Sequence, residues 1–481
     1  MKSVKTNYIL NLINTGTQII FPLLTFPYAS RIMEPDGIGT TNFFSSIISY
    51  ITIFTCLGIP TYAVREVARH RSNPFNTNKI TVEIILLHLL LTLIGYLAVG
   101  LLCISITDIK NNIPLFLILS SSILFTTLGC EWFYLGVEDF TYVTIRGIIV
   151  KLLSIVFLFI FVKTKNDILL YGIYTVFVTV GGNIFNFLRL KKHVNLKGIN
   201  IKTINIKRHI KPTLSVFAFT VINSFFLLLN PLILGFSRNT TEVGYFTTST
   251  KLLDILLKFS YCLGVVMMPR IANLIAENKI DEFRKLSLKA YNYTLATNIP
   301  LGICLFMLSP YLTKILAGEL FTPSIESTQI ISPIILLVGI CNVIGYQILY
   351  PIGKLKIVIF SIGVGILIDI ILNLLLISTM GYIGTSIAFL CAEISSTFTM
   401  IFLGKKILPF NLRNPNSLTY IYAGIIMIVI MFVIQDIVQT NDILMLILMG
   451  GIGILCYTCI LILRKDEFVI SILNWIKRSL K

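Results

Sequence analysis

Three charged side chains, Lys251, Asp254 and Lys258, interrupt an otherwise apolar stretch at residues 244–268. Residues three, four and seven apart share one face of a helix, so the three charges are expected to form a single stripe. A charge at membrane depth costs at least ~2.5 kcal/mol on insertion scales and usually faces a bundle interior or a water-filled cavity. The stripe therefore predicts a polar path through an apolar protein. A local ion pair that staples the helix to its neighbours, with one lysine reaching the interface, would give the same pattern.

Further cations are predicted at or near membrane depth. Arg146 and Lys151 fall in one apolar run, and because they are five residues apart they should face different neighbours. Arg146 stands close enough to the end of the run to reach the interface, whereas Lys151 is deeper. Arg31 follows the first apolar run. A cationic cavity suits an anionic ligand, and phosphate is the common biological case. A cavity for cationic drugs would instead be acidic and aromatic.

Two acids also lie inside apolar runs. Asp369 is followed four residues later by Asn373, and Glu393 is central in the next run. Either carboxyl, like Asp254, could exchange protons and couple an ion gradient to transport. Each could equally be a hydrogen-bonding residue of the helix packing.

The sequence lacks the signatures of catalysis. It contains no GxxxxGK phosphate loop, no GxSxG, no HExxH and no acidic metal-binding cluster, and its four histidines are scattered. We therefore expect neither an enzyme nor a bound metal or cofactor. A membrane glycosyltransferase or polymerase would carry catalytic acids on a long outer loop, and the loops here are short.

The elements that position these residues are predicted to be membrane-spanning helices. Of the 481 residues, 56% are hydrophobic and 13% are charged, with a mean hydropathy of +0.88. Soluble domains carry about 25% charged residues. Apolar runs long enough to span a bilayer recur fourteen times, at about 7–29, 39–60, 81–106, 113–135, 143–162, 168–188, 213–236, 243–268, 289–310, 327–350, 355–377, 382–403, 417–435 and 442–463. The predicted fold is an all-α polytopic membrane protein with about 14 transmembrane helices.

The basic residues alternate between loops. With the N-terminus in the cytoplasm, inner segments hold 29 of the 39 Lys and Arg residues and outer segments hold six. This asymmetry satisfies the positive-inside rule and predicts that both termini are cytoplasmic. The net charge of +17 is then mostly a topology signal, and no nucleic-acid partner is expected. A final segment at 468–481 has apolar residues at helical spacing and a basic end, which predicts an amphipathic helix on the cytoplasmic surface.

An internal repeat predicts the domain organisation. Gly39, Cys56-Leu57-Gly58 and Arg65 are matched about 205 residues later by Gly244, Cys262-Leu263-Gly264 and Arg270. Parallel repeats of this kind are a known transporter plan, with the substrate path between the lobes. The predicted organisation is an N-lobe of helices 1–6 (1–188), a basic cytoplasmic linker (189–212), a C-lobe of helices 7–12 (213–403), and helices 13 and 14 with the tail (404–481).

Two stretches resemble a known family. Residues 30–70 contain a PxGxG turn (Pro35, Gly37, Gly39) and Gly58, which comes seven residues before Arg65-Glu66. Residues 131–151 contain Trp132, Gly136 and Glu138, followed by Arg146 and Lys151. Both stretches resemble bacterial polysaccharide flippases, the oligosaccharidyl-lipid branch of the multidrug/oligosaccharidyl-lipid/polysaccharide flippase superfamily. Departures are Glu34, where a glycine is common, and Leu135, where a glutamine is common.

The resemblance implies a function and partners. Such proteins move undecaprenyl-pyrophosphate-linked oligosaccharide to the outer leaflet of the bacterial inner membrane, for O-antigen, capsule or exopolysaccharide assembly. Alternating access would carry the substrate, and a polysaccharide polymerase and other assembly proteins would be partners in the bilayer. The predicted diphosphate ligands are Lys251, Lys258, Lys151, Arg146 and Arg31, and the predicted ion-coupling residues are Asp254, Asp369 and Glu393. The alternative function is a multidrug or small-cation exporter of the same superfamily.

Overall fold

A computed structural model describes residues 4–194, 204–438 and 440–470, with side chains described in these ranges except at 4–15, 218–227, 262–266 and 269. Every regular element in these ranges is helical, which confirms the all-α prediction. The α-helices are α1 (Val4–Cys56), α2 (Ile59–His70), α3 (Pro74–Ser105), α4 (Thr107–Asn111), α5 (Ile113–Gly129), α6 (Glu131–Gly136), α7 (Phe140–Phe161), α8 (Ile168–Val180), α9 (Gly182–His193), α10 (Lys207–Ser237), α11 (Thr240–Ala276), α12 (Ile280–Leu316), α13 (Ser324–Ile331), α14 (Ile334–Cys341), α15 (Leu355–Gly404), α16 (Pro415–Ile437) and α17 (Asp442–Leu463). A 3₁₀ turn at Glu319–Phe321 and a π-helix at Asn342–Leu349 complete the set.

Two of the longest helices are each broken by one residue. In α1 the break is at Glu34, whose φ of 57° and ψ of 175° are not helical. In α15 the break is at Gly381, with φ of 55° and ψ of −132°. A Cβ atom at Gly381 would collide with the Glu242 carboxylate, which accepts a 2.9 Å hydrogen bond from the backbone N–H of Tyr382. Each long helix therefore consists of two helices, and each contains two of the predicted apolar runs.

The spanning helices are defined by length and hydropathy. Within the described ranges, nine helical segments are long and apolar enough to cross a membrane, or ten if the pair α8 and α9, bent by 44°, forms one span. Segments that contain a break are counted once here, and α11 includes positions outside the described side chains. The total of fourteen crossings stays a prediction.

The chain divides into two compact units, Met1–Gly235 and Phe236–Lys481. Nearly all of α10 therefore belongs to the first unit, whereas the repeat placed the seventh helix at the start of the second lobe. The six-plus-six lobes and the linker at 189–212 stay predictions, since 195–203 lies outside the described residues. The side chains of the repeat landmark Cys262-Leu263-Gly264 also lie outside them.

In the first unit, α2 packs one apolar face against α3 and α6. Its buried residues Ile59, Tyr62, Ala63 and Val67 are three or four positions apart, which places them on one side of the helix. Arg65 and Arg69 of the same helix are exposed. A core of buried residues from the neighbouring helices covers this face, including Ile80, Ile84, Leu87, Trp132, Phe133 and Tyr134.

In the second unit, α16 and α17 pack on α12. Their contact is rich in methionine, and it buries Met427, Met431, Met445 and Met449 with Met307 and Leu308. Unbranched Met side chains fill irregular gaps between helices. Beyond α17, Asp466 accepts a 2.6 Å hydrogen bond from the Tyr420 hydroxyl and one of 2.9 Å from the Phe468 backbone N–H. The amphipathic tail predicted at 468–481 lies outside the described residues from 471 onward.

Candidate functional site

The predicted charged stripe lies on α11. Asp254 interacts electrostatically with both Lys258 and Lys251, as the helical spacing predicts. The other side of the helix packs into the second unit through Leu252, Leu253 and Leu257, which are at most 8% exposed. The stripe therefore carries two positive charges and one negative charge on one face.

The two acids predicted in α15 are close together. Asp369 and Asn373 are completely buried, and the Asn373 amide donates to the Asp369 carboxylate over 3.1 Å. Glu393, 8% exposed, is near enough to Asp369 to interact with it electrostatically. Each carboxyl therefore lies within reach of the other's charge.

Tyr261 connects the stripe to these acids. It interacts electrostatically with both Glu393 and Asp254. Tyr261 thus lies within electrostatic reach of two of the three predicted coupling residues, and the third, Asp369, interacts with Glu393. Tyr261 was not among the predicted site residues, although its position seven residues after Asp254 places it on the same helical face.

In the first unit, Lys151 has two partners from α1. Its Nζ donates a 2.9 Å hydrogen bond to the Thr17 hydroxyl and lies 5.6 Å from the centre of the Phe21 ring. An ammonium group over an aromatic face is attracted by the ring quadrupole. Both contacts hold the cation within the first unit.

Arg146 faces a different environment, as its spacing from Lys151 predicts. Its guanidinium is 10% exposed and donates to the Glu131 carboxylate over 2.7 Å. It also contacts the carbonyl oxygen of Gly182, at the bend between α8 and α9. A Cβ at Gly182 would lie 2.9 Å from Arg146 Nε, so the glycine leaves room for the guanidinium.

Arg31 is exposed and donates to the carbonyl oxygen of Pro27 over 2.7 Å. Three of the five predicted cations lie in the first unit, and two lie on α11. Their convergence on one ligand stays a prediction.

A cavity in the first unit, lined by hydroxyl-bearing and aliphatic residues, was not predicted. It has a volume of about 300 Å³ and lies among α1, α5 and α8. Its lining is Ser45, Ile48, Ser49, Thr52, Ile53, Leu119, Ser122, Thr126, Thr175, Val176, Thr179 and Val180. A sequence signal for it exists, because each of the three helices repeats a hydroxyl residue at a spacing of four.

A second unpredicted feature is a buried ionic cluster, here called the Glu83 cluster, formed by Glu83, Arg208, His209, Tyr62 and Asn205. Glu83 on α3 is completely buried and pairs with Arg208 and with His209 of α10. The other ring nitrogen of His209 lies 2.8 Å from the Tyr62 hydroxyl on α2. The Asn205 backbone N–H donates to the second Glu83 oxygen over 2.8 Å. The cluster fastens the beginning of α10 to α2 and α3.

These features define a class of protein: a multi-pass helical membrane protein of the transporter type, with charged groups inside apolar helices. Residues 4–275, more than half of the chain, match the family described as "Polysaccharide biosynthesis protein". The chain belongs to this family, which confirms the resemblance found in the sequence.

Two relatives and two solved structures illustrate the similarity. A protein named "Putative O-antigen transporter" from Escherichia coli (strain K12) is 22% identical over 351 residues, 72% of this chain and 83% of that protein. A protein of the same name from Shigella dysenteriae is 25% identical over 407 residues, 83% of this chain and 99% of that protein.

Among solved structures, the lipid II flippase MurJ in an inward closed conformation has a TM-score of 0.78 at 18% identity, covering 96% of this chain and 99% of its own. An inward-facing multidrug resistance MATE family transporter of the MOP superfamily has a TM-score of 0.62 at 13% identity, covering 85% of this chain and 95% of its own. At these identities the two structures establish a shared fold.

Proposed function

We propose that this protein flips undecaprenyl-pyrophosphate-linked oligosaccharide repeat units from the cytoplasmic to the outer leaflet of the bacterial inner membrane, for O-antigen, capsule or exopolysaccharide assembly. The observation that carries the proposal is the set of lysines inside apolar helices, Lys151 in the first unit and Lys251 and Lys258 in the second, in a chain of the polysaccharide biosynthesis family. The names of the curated relatives and the flippase fold support it.

In this proposal the diphosphate is the group that the cations bind. Lys251, Lys258 and Lys151 would neutralise its charge, with Arg146 and Arg31 as further ligands along the path. Charge-assisted hydrogen bonds to phosphate are about twice as strong as neutral ones. The polyprenyl chain would stay in the lipid, so only the polar head would need a protein-lined route.

Transport would proceed by alternating access, in which two lobes rock around the head group. Moving a diphosphate outward needs a driving force, and Asp254, Asp369 and Glu393 are the candidate residues for proton or cation coupling. Both termini would be cytoplasmic, and a polysaccharide polymerase would act on the product at the outer face.

The experiment is complementation of a bacterial strain whose own oligosaccharide-lipid flippase has been deleted and which carries the glycan locus that accompanies this gene. We expect the wild-type protein to restore surface glycan and the double variant Lys251→Ala/Lys258→Ala to fail at equal membrane abundance. The matched control is Lys285→Ala/Lys289→Ala, which removes two exposed lysines from α12. Normal glycan from the α11 double variant would contradict the role of the stripe.

The exporter alternative is tested in the same strains. A drug or small-cation exporter would raise resistance to cationic dyes and leave the surface glycan absent. The net positive charge of the stripe argues against a cationic substrate.

A further inference from the structure

Hydroxyl side chains line the cavity among α1, α5 and α8 in regular rows. Seven of its twelve lining residues carry a hydroxyl. On α1 these are Ser45, Ser49 and Thr52; on α5 they are Ser122 and Thr126; on α8 they are Thr175 and Thr179. Each helix therefore contributes hydroxyls from successive turns, and three such rows face one volume of about 300 Å³. Small-molecule sites begin at about this size.

Four of the seven hydroxyls already donate a hydrogen bond to a backbone carbonyl of their own helix. Thr52 donates to the carbonyl of Ile48 over 2.7 Å, Ser122 to that of Leu119 over 2.7 Å, and Thr175 to that of Tyr171 over 2.9 Å. Thr179 donates likewise to the carbonyl of Thr175 over 2.8 Å. A hydroxyl oxygen has two acceptor lone pairs that remain after it donates. Each of these oxygens therefore keeps acceptor capacity, while aliphatic side chains provide most of the surface that the cavity exposes.

The remaining lining is aliphatic. It comprises Ile48, Ile53, Leu119, Val176 and Val180, and the described lining includes neither an ionisable side chain nor an aromatic ring. A diphosphate would lack a counter-charge there, and a cationic drug would lack an acid or a ring to bind. The lining suits a neutral ligand with several hydroxyl donors and a C–H face, which is the chemistry of a sugar ring.

We propose that this cavity is a saccharide subsite, which receives one sugar of the lipid-linked oligosaccharide. This inference rests on the proposed function and divides the head group between two kinds of site. The lysines bind the diphosphate through charge, and the hydroxyl-lined cavity binds a sugar through neutral hydrogen bonds.

The test uses binding to the purified full-length protein in nanodiscs. One probe is undecaprenyl diphosphate that carries a single N-acetylhexosamine or hexose, and the other is undecaprenyl diphosphate without sugar. We expect wild type to bind the better of the sugar-bearing probes at least about tenfold more tightly than the sugar-free probe, the gain from two or more net hydrogen bonds.

The variant Thr52→Val/Thr126→Val/Thr175→Val removes three hydroxyls at nearly constant volume. We expect it to raise the Kd of the sugar-bearing probe by about tenfold and to leave the Kd of the sugar-free probe unchanged. Two single variants make a smaller change: Ser122→Ala alters the cavity, and Ser120→Ala is its control. Both serines donate to the carbonyl three residues earlier on α5, yet Ser120 is outside the cavity. Only Ser122→Ala should weaken binding of the sugar-bearing probe.

The outcomes separate the two proposals. Equal wild-type affinity for both probes, or an equal loss of both in the triple variant, overturns the saccharide subsite while the flippase proposal stands. Wild-type protein that binds neither probe and restores no surface glycan overturns the proposed function itself.

Discussion

Glu83 and His209 are 126 positions apart in the chain, yet the Glu83 carboxylate lies 3.0 Å from Nε2 of His209. Neither residue is more than 1% exposed. Because Nδ1 of His209 faces the Tyr62 hydroxyl, a ring that carries its proton on Nε2 can donate to Glu83 and accept from Tyr62. This tautomer satisfies three buried polar groups at once.

The substitution Glu83→Gln should therefore destabilise the protein. It removes the negative charge and one of the two acceptor oxygens that serve Arg208, His209 and the Asn205 backbone N–H. Breaking a buried ion pair on one side is strongly destabilising. We expect a loss of about 2 kcal/mol or more, since Arg208 is partly solvated and part of the full penalty is relieved. Thermal unfolding of the purified protein in detergent measures this loss of stability. The control Asp281→Asn alters a surface pair with Arg284 and should change stability by less than about 1 kcal/mol.

Exchanging the charges of Arg146 and Glu131 can distinguish a role of Arg146 in helix packing from a role in ligand binding. Arg146→Ala leaves the Glu131 carboxylate without its partner and should lower the unfolding temperature. The double variant Arg146→Glu/Glu131→Arg restores an ion pair and should recover much of that stability. If Arg146 also meets the diphosphate, the exchanged pair should remain inactive in the glycan complementation assay. Full glycan restoration would assign Arg146 to packing alone.

Glu34 stands in a backbone conformation that suits glycine. Its φ of 57° with ψ of 175° lies in a region that is essentially limited to glycine and costs about 1–3 kcal/mol for other residues. Its ion pair with Lys165, at 4.0 Å, is exposed and worth little. Glu34→Gly should therefore raise stability by about 1 kcal/mol. The matched control Asp36→Gly, at a helical position two residues later, should lower it, and a loss in both variants would contradict the backbone argument.

Asp167 gives a prediction about pH, outside the spanning helices. Hydrogen bonds from the backbone N–H groups of Lys163 and Thr164 hold the pKa of its carboxyl below the ordinary value of 3.8. A carboxyl whose pKa is lower in the folded state stabilises above its unfolded pKa, and that contribution is lost as the pH falls through the folded pKa. Wild type should melt above Asp167→Asn at pH 7, and the difference should shrink as the pH falls below 3.8. A difference that persists at the lowest pH would show that charge is not its source.

Much of the fold could be predicted from local sequence patterns. The runs of apolar residues predicted the helices, and the spacing of Lys251, Asp254 and Lys258 predicted their common face, because both depend only on neighbours within a few turns. The turn around Pro35 likewise corresponds to the break at Glu34.

Features that join distant parts of the chain could not be predicted in this way. No local pattern pairs Glu83 with His209, and the hydroxyl rows on α1, α5 and α8 become one cavity only when the three helices are packed. The contacts of α10 are a further case. The repeat places this helix at the start of the second lobe, a boundary that stays a prediction, and no local pattern indicates that its backbone at Thr213 and Phe217 lies beside Gly58.

The attachment of α10 has a consequence for the synthesis of the chain. A ribosome that has completed residue 237 has already supplied every member of the Glu83 cluster, so this half of the protein can close its ionic contacts before α11 is made. Two co-expressed fragments divided between Ser237 and Asn239 would keep the cluster on one polypeptide and should reassemble. A division within 195–203 would leave Glu83 and His209 on different polypeptides, and the amino-terminal fragment would then carry a buried carboxylate with no counter-ion of its own.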